Sequence, residues 1–129
     1  MDLQERIAQI KWVLTDCDGV LTDGGVYYGE QGEVLKKFNI RDGMGVERLR
    51  NLVDVATGII TGERSPSVQK RAEKLQIHEL NLGIKDKQSC ILALLEKYQI
   101  EPYQVAYIGD DVNDLPVLPH IGVFFCPAE

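Results

Sequence analysis

The chain has 129 residues, of which 44% are hydrophobic and 26% charged, a composition typical of an ordinary globular domain. Its 14 basic and 20 acidic residues give a net charge of -6, and no run of lysine or arginine is long enough to follow a nucleic-acid backbone. We therefore expect a single domain spanning residues 1–129, with no nucleic-acid partner.

The sequence also argues against a membrane protein or a disulfide-stabilised one. No segment approaches the roughly 20 apolar residues of a membrane span, and the start of the chain lacks the pattern of a signal peptide. The three cysteines, Cys17, Cys90 and Cys126, are far apart and follow no disulfide or zinc spacing. These features predict a cytoplasmic protein without a membrane partner.

Strand-like and helix-like segments alternate from the start of the chain. The first predicted strand is the apolar run at 12–16, and a hairpin is predicted around the turn at 29–32. A helix should follow, with Asp42 as its N-cap. Its apolar side is predicted to consist of Met44, Val46, Leu49 and Leu52.

The second half of the chain continues this alternation. A helix is predicted with Ser65 as its N-cap and Pro66 at its first position, and a second, amphipathic helix within 85–100. The apolar face of the second helix consists of Cys90, Ile91, Leu94, Leu95 and Tyr98. Further strands are predicted at 53–62, 78–81, 104–111 and 121–126. The pattern predicts an α/β fold, a three-layer Rossmann-like parallel sheet with a β-hairpin inserted after the first strand.

Polar residues follow three of these strands. Asp16 and Asp18 stand at the end of the first, Thr61 at the end of the second, and Asp110 and Asp111 at the end of the strand at 104–111. Because parallel sheets bind ligands beyond the carboxyl ends of their strands, we expect these residues to share one edge. Each alone is better explained as a turn or capping residue, but several acids together repel one another unless a cation lies among them. Carboxylates suit a hard ion such as Mg²⁺, so a metal site is predicted.

Two lysines, Lys85 and Lys87, lie near the predicted start of a helix, where a phosphate is readily bound. A metal ion together with carboxylates, a hydroxyl group and a lysine suits phosphoryl transfer, in which positioning and charge neutralisation supply most of the catalysis. The residues therefore point to an enzyme that acts on a phosphate ester.

Four segments, in order, resemble the four motifs of the haloacid dehalogenase superfamily of phosphohydrolases: "DCDGVLTDG", "IITG", "KDK" and "GDDVND". With "FNIRDGMG" after a short hairpin, the chain is similar to the small uncapped branch of that superfamily. This branch contains the 3-deoxy-D-manno-octulosonate 8-phosphate phosphatases and their nine-carbon sugar-acid relatives. The resemblance covers nearly the whole chain, and four ordered motifs are far more specific than any one of them.

The resemblance implies a role for each motif residue. Asp16 would be the nucleophile that forms an aspartyl-phosphate, and Asp18 would protonate the leaving oxygen and then activate water. Thr61 would hydrogen-bond the phosphoryl group, and Lys87 would neutralise its charge. Asp16, the carbonyl of Asp18 and Asp110 would hold Mg²⁺.

The resemblance also implies outer residues around this centre. Three of them would support the metal ligands: Asp111, Asn113 and Asp114. Others would contact the sugar acid phosphate together with Asp18 and Lys87: Asn39, Ile40, Arg41, Asp42, Gly43, Gly62, Glu63, Arg71 and Lys74. Arg71 is a natural partner for the sugar carboxylate, although a solvated helix face would explain it equally well.

Several alternatives remain open at this point. Glu47 and Glu63 stand where octulosonate phosphatases tend to have arginine, and Glu63 with Lys74 is more similar to the nine-carbon phosphatases, so the substrate is either the eight-carbon or the nine-carbon acid. A phospho-receiver domain has a similar sheet, but its acidic residues are arranged differently. A catalytically silent assembly domain is the third alternative.

Larger relatives cover their active sites with a cap domain inserted after the first or second motif. Here the first interval contains only a hairpin, and Thr61 leads directly into a helix, so no cap domain is expected. An open site and a hairpin with apolar residues predict that neighbouring subunits cover the site, as in the homotetramer that the resemblance implies. The sequence stops just after the last strand, where members of the family usually continue into a C-terminal tail.

Overall fold

The fold is given by a computed structural model, which describes residues 2–16, 22–29, 32–38, 40–109 and 112–125. Side chains are described at 2–16, 45–109 and 116–125. The α-helices of the described residues are α1 (Leu3–Ala8), α2 (Ile40–Val53), α3 (Pro66–Lys74) and α4 (Lys87–Tyr98). The strands are β1 (Trp12–Thr15), β2 (Thr22–Gly29), β3 (Gly32–Phe38), β4 (Ala56–Ile60), β5 (Glu79–Asn81), β6 (Val105–Ile108) and β7 (Val123–Phe125). Two 3₁₀ segments lie at Pro102–Gln104 and Val112–His120.

Five strands form one parallel sheet in the order β5-β4-β1-β6-β7. The strands β2 and β3 form a separate antiparallel hairpin, inserted after β1. Residues 61–65 alone connect β4 to α3, which leaves no room for a cap domain at that point. The predicted Rossmann-like sheet with a hairpin insertion is therefore confirmed.

Apolar residues cover both faces of the sheet and give the molecule its three layers. On one face, Leu14 and Ile60 pack with Ile91 and other apolar residues of α4. On the other face, Ile59 packs with Val46 of α2 and with residues of α3 and its C-terminal end. Alternation along β4 explains the division, because neighbouring residues of a strand point to opposite faces.

The sequence predicted the helix caps with mixed success. Ser65 accepts a hydrogen bond from the backbone N–H of Val68 and Pro66 opens α3, as predicted. The predicted N-cap of α2 is wrong, since that helix begins at Ile40 and Asp42 lies inside its first turn. The helix dipole also favours a carboxylate inside the first turn. An aspartate near the start of a predicted helix therefore does not by itself identify the residue at which the helix begins.

One more prediction fails near a helix end, and one helix was not predicted from the sequence. Leu52 was expected in the core but is 77% exposed, because it lies in the last turn of α2, just before the chain turns at Asp54 with a φ of 57°. The helix α1 was not expected; Asp2 caps it by accepting from the Glu5 N–H, and none of its residues is buried. Among the described residues, no helix combines the length and the apolarity that crossing a bilayer requires.

The lack of a side chain at Gly58 leaves room for the side chains of Leu14 and Glu79 on the two neighbouring strands. A Cβ at this position would lie 2.8 Å from Leu14 Cδ2 and 3.4 Å from Glu79 Cβ. Any larger side chain on β4 at this position would therefore push Leu14 out of its place in the core.

The end of α4 is held to the sheet by a polar cluster around the buried carboxylate of Glu79. Lys97 Nζ and Tyr98 OH donate to Glu79 Oε1 at 2.9 and 2.6 Å, and Asn81 Nδ2 donates to Oε2 at 3.1 Å. The Tyr98 ring also packs on Trp12, with ring centroids 4.5 Å apart. Burial acts to raise the pKa of Glu79, but the hydrogen bonds from Tyr98, Lys97 and Asn81 together hold it below the usual value for glutamate.

We predict that Glu79→Gln lowers the free energy of unfolding at pH 7 by about 1 kcal/mol, because hydrogen bonds to a charged group are replaced by bonds to a neutral one. Since the pKa of Glu79 is lower in the folded state, its contribution is complete above the unfolded pKa and is lost as the pH falls through the folded one. Urea unfolding at several pH values should show the two proteins converging in acid. Glu96→Gln, at an exposed carboxylate of the same helix, is the control; an equal loss of stability in the control would contradict the assignment.

Candidate active site

Asp16 lies directly after β1 at the carboxyl edge of the sheet, and it is 8% exposed. Its backbone N–H donates to the carbonyl of Ile108 at 2.9 Å, which extends the pairing of β1 with β6 by one residue. The hydroxyl of Thr15, itself buried, donates to the carbonyl of Asp16 at 2.7 Å. Hydrogen bonds at its N–H and at its carbonyl therefore hold the backbone of Asp16 in place.

Lys87 is the first residue of α4, and its Nζ lies 3.5 Å from Asp16 Oδ2. Both side chains are only about a tenth exposed, at 10% and 12%, so their charges interact with little screening by water. Lys85, the other lysine considered from the sequence, is exposed and precedes the helix. The structure thus brings Lys87 to the carboxylate of Asp16.

The position of Lys87 depends on how α4 begins. Asp86 is the N-cap of the helix, and its carboxylate accepts from the backbone N–H of Ser89 at 3.1 Å and from the Ser89 hydroxyl at 2.7 Å. These hydrogen bonds hold the pKa of Asp86 below its usual value. The N-terminal dipole of α4 adds to the positive potential of Lys87, so the helix start favours an anion beside Asp16.

Thr61 follows β4 at the same edge and is 1% exposed. The register of β1 with β4 pairs Thr15 with Ile59, which places Asp16 level with the residue before Thr61. Backbone hydrogen bonds join the residue to the next strand and loop, since the Thr61 N–H donates to Asn81 and its carbonyl accepts from Ile84, both at 2.9 Å. Its hydroxyl oxygen accepts from a backbone N–H at 3.3 Å, that of Glu63.

Several predicted site residues fall outside the described residues: Asp18, Asn39, Asp110 and Asp111. Others are described by their backbone alone: Ile40, Arg41, Asp42 and Gly43 in the first turn of α2, and Asn113 and Asp114 in the 3₁₀ segment. Within the described ranges, no three acidic, histidine or cysteine side chains form a group that could hold a metal. Asp16 is the one predicted metal ligand whose side chain is described.

The remaining predicted substrate contacts lie on the β4–α3 side of the site. Gly62 and Glu63 are exposed in the loop that follows Thr61. Arg71 is half-buried and Lys74 is exposed, and both lie in the last turn of α3, away from the helix start that follows this loop. The described structure therefore groups Gly62 and Glu63 with Thr61 and places Arg71 and Lys74 at the C-terminal end of α3.

Sequence reasoning missed a contact that joins the first turn of α4 to the end of the 3₁₀ segment. Gln88, next to Lys87, lies with its Nε2 2.9 Å from Nε2 of His120, at the end of the 3₁₀ segment. An amide nitrogen donates only, so in this arrangement the histidine nitrogen is the acceptor. An isolated histidine and a helix-start glutamine far apart in sequence carry no signal that would have predicted this pair.

Residues 33–122 match the haloacid dehalogenase-like hydrolase family. The chain is 43% identical to the 3-deoxy-D-manno-octulosonate 8-phosphate phosphatase of Yersinia pestis over 99% of its own length and 68% of that protein. It is 37% identical to the corresponding phosphatase of Haemophilus influenzae, over 98% of this chain and 70% of that one. The chain therefore belongs to the haloacid dehalogenase-like hydrolases, as the motifs predicted.

Solved structures support the same relationship. The crystal structure of the Yersinia pestis phosphatase superposes with a TM-score of 0.89 at 43% identity, covering 95% of this chain and 65% of that one. A Moraxella catarrhalis phosphatase, solved with magnesium, phosphate and a KDO molecule, gives a TM-score of 0.85 at 36% identity, covering 92% and 67%. The chain thus spans about two-thirds of the length of these relatives.

We predict that Lys87→Met lowers the rate of phosphate-ester hydrolysis by roughly 10²-fold, because it removes the positive charge beside Asp16 but keeps an unbranched side chain. The measurement is steady-state hydrolysis of p-nitrophenyl phosphate, with the melting temperature as a check on folding. Lys85→Met is the matched control and should keep nearly the wild-type rate. Equal losses in both variants would contradict the specific role of Lys87.

Proposed function

We propose that this chain is a Mg²⁺-dependent cytoplasmic phosphatase that hydrolyses 3-deoxy-D-manno-octulosonate 8-phosphate through an aspartyl-phosphate. The observation that carries the proposal is the buried contact between Asp16 and Lys87 beside Thr61, at the edge of a sheet where α/β proteins bind their ligands. It is supported by relatives that carry the name of this phosphatase. Family membership also favours a hydrolase over a phospho-receiver or a silent assembly domain.

In the first step, a carboxylate oxygen of Asp16 attacks phosphorus and the bond from phosphorus to the sugar oxygen breaks. Asp18 gives its proton to that leaving oxygen, so the sugar acid departs as an alcohol. In the second step, Asp18 takes a proton from water, and the water oxygen attacks the phosphorus of the aspartyl-phosphate. Inorganic phosphate leaves, and the carboxylate of Asp16 is restored.

Lys87 and Thr61 act on the phosphoryl group during both steps. The ammonium of Lys87 balances negative charge on the phosphoryl oxygens, and its place at the start of α4 adds the helix dipole to that effect. The Thr61 hydroxyl already accepts from the Glu63 N–H, so its own proton is available to a phosphoryl oxygen. Both groups are nearly buried and need little rearrangement to act.

The chemistry of the donor set fits Mg²⁺, since Asp16 offers a nearly buried carboxylate and its proposed fellow ligands also offer oxygen. These fellow ligands are Asp110 and the carbonyl of Asp18, with Asp111, Asn113 and Asp114 as their supports. When bound, the ion would draw charge from the phosphoryl oxygens and reduce the repulsion between substrate and carboxylates.

A nine-carbon sugar acid 9-phosphate is the second candidate substrate. It is favoured by Glu63, which stands exposed in the loop after Thr61, together with Lys74. The eight-carbon acid is ranked first because the named relatives act on it.

Phosphate release from the eight-carbon and nine-carbon 2-keto-3-deoxy acid phosphates tests the proposal. We expect the eight-carbon ester to have the higher kcat/KM, and activity to disappear with excess chelator and return with Mg²⁺. Asp16→Asn is the inactive control, because an amide oxygen is a poor nucleophile and a weaker metal ligand. Turnover that survives in this variant or in chelator would overturn the mechanism, and a preference for the nine-carbon ester would overturn the substrate.

We also propose a homotetramer in which hairpins from neighbouring subunits cover the open sites. The hairpin lies outside the parallel sheet and pairs with itself alone among the described strands, with Tyr27 opposite Leu35. Light scattering of active protein should give four subunits. Polar substitutions at Tyr27 and Val34 should dissociate the assembly with a parallel loss of turnover, whereas an active monomer at micromolar concentration would refute it.

A further inference from the structure

The first turn of α4 is the part of this helix that its own hydrogen bonds hold least. The first N–H groups of any helix have no partner within it, so a helix start opens more easily than its middle. Lys87 lies in this turn, as the first residue of α4. The Asp86 carboxylate satisfies one of these groups, the N–H of Ser89. A further contact from this turn to another element therefore restricts the movement of Lys87.

Gln88 makes such a contact, because its Nε2 lies 2.9 Å from Nε2 of His120 at the end of the 3₁₀ segment. Both residues stand on backbone that packing holds in place. Ile91, three residues after Gln88, is fully buried in one apolar cluster with Val117, which is also fully buried. Ile121, the neighbour of His120, packs against the same cluster. The side-chain contact therefore connects two elements that already pack on each other.

The 3₁₀ segment also carries residues of the fourth motif. Asn113 and Asp114, the proposed supports of the metal ligands, lie near its start, and His120 is its last residue. Pro116 and Pro119 lie inside the segment, where their rings restrict the backbone φ angle. The contact thus links the turn of α4 that carries the lysine to a conformationally restricted segment on the metal side of the proposed site.

We propose that Gln88 and His120 are positioning residues for Lys87. The amide of Gln88 donates to the neutral imidazole of His120, and this hydrogen bond keeps the first turn of α4, with its lysine, beside Asp16. The inference rests on the proposed function, because the lysine is taken to act on the phosphoryl group. A shift of the ammonium by about 1 Å weakens its stabilisation of the transition state. Neither positioning residue is catalytic, since the effect passes through the lysine.

The hydrogen bond itself is observable by NMR of the histidine rings at about pH 8, where a free imidazole is neutral. The chain contains two histidines, His78 and His120, so the ring signals lost in His120→Gln are assigned to His120. We expect the His120 ring to carry its proton on Nδ1, with Nε2 as the acceptor. Gln88→Met removes the donor but keeps the side-chain length, and it should shift the Nε2 resonance of His120 alone. A ring protonated on Nε2, or one that does not respond to Gln88→Met, would overturn the proposal.

The effect on the reaction is measured with p-nitrophenyl phosphate at the same pH. We expect Gln88→Met and His120→Leu each to lower kcat by roughly 3- to 10-fold with little change in melting temperature, since each removes one hydrogen bond. His120→Gln should recover most of the rate, because its amide oxygen can accept in place of the ring nitrogen. Gln69→Met, at an exposed glutamine of α3, is the matched control and should keep the wild-type rate. An equal loss in this control would contradict the positioning role.

A double-mutant cycle with Lys87→Met shows whether the pair acts through the lysine. Gln88→Met should lower the rate much less in the Lys87→Met background than in the wild type, because no ammonium remains to be displaced. Full additivity, or a wild-type kcat in both Gln88→Met and His120→Leu, would overturn this inference alone. If the wild-type protein hydrolyses no phosphate ester, the proposed function fails and this inference fails with it. Hydrolysis of p-nitrophenyl phosphate without hydrolysis of a sugar acid phosphate defeats the proposed substrate, while the cycle still decides the positioning role.

Discussion

The contact between Lys87 and Asp16 is the constraint on which the rest of the architecture depends. Two charges that are only about a tenth exposed lose much of their hydration, and this cost is tolerable only when they remain close together. That requires α4 to start at the carboxyl end of β1 and to run antiparallel to it. The contact of the Tyr98 ring with Trp12 meets the same requirement at the opposite ends of the helix and the strand. The apolar side of α4, packed on Leu14 and Ile60, fills the space between the two contacts.

The sheet topology turns this contact into a site. Placing β1 between β4 and β6 brings Thr61 to one side of Asp16 and Gly109 to the other. The loop after β4 is further tied to the loop after β5 through Thr61, Glu63, Ile84 and Gly83. Backbone hydrogen bonds thereby join elements that are far apart in sequence along one edge of the sheet, which suits a reaction whose catalysis consists mainly of holding charges in place.

The sequence predicted much of the fold because short-range signals were strong. Ser65 with Pro66 marked the start of α3, and the apolar periodicity of α4 identified Ile91, Leu94 and Leu95, all buried. The predictions that Asp42 caps α2 and that Leu52 lies in the core were wrong, because the ends of a helix depend on tertiary contacts. For the site, the strand-end rule indicated Asp16 and Thr61, whereas the choice of Lys87 over Lys85 came from family resemblance. The pair of Gln88 with His120 depends on how the 3₁₀ segment packs against α4, for which the sequence carries no periodic signal.

The attachment of α4 at both ends also restricts how this part of the gene can change in length. An α-helix advances about 1.5 Å and turns about 100° per residue, so one inserted or deleted codon within Lys87–Tyr98 would swing one end away from its partner. Either the lysine would leave Asp16, or the tyrosine would leave Trp12 and Glu79. Natural length variation in this region should therefore collect in the connections before and after the helix, and the helix itself should evolve by substitution alone.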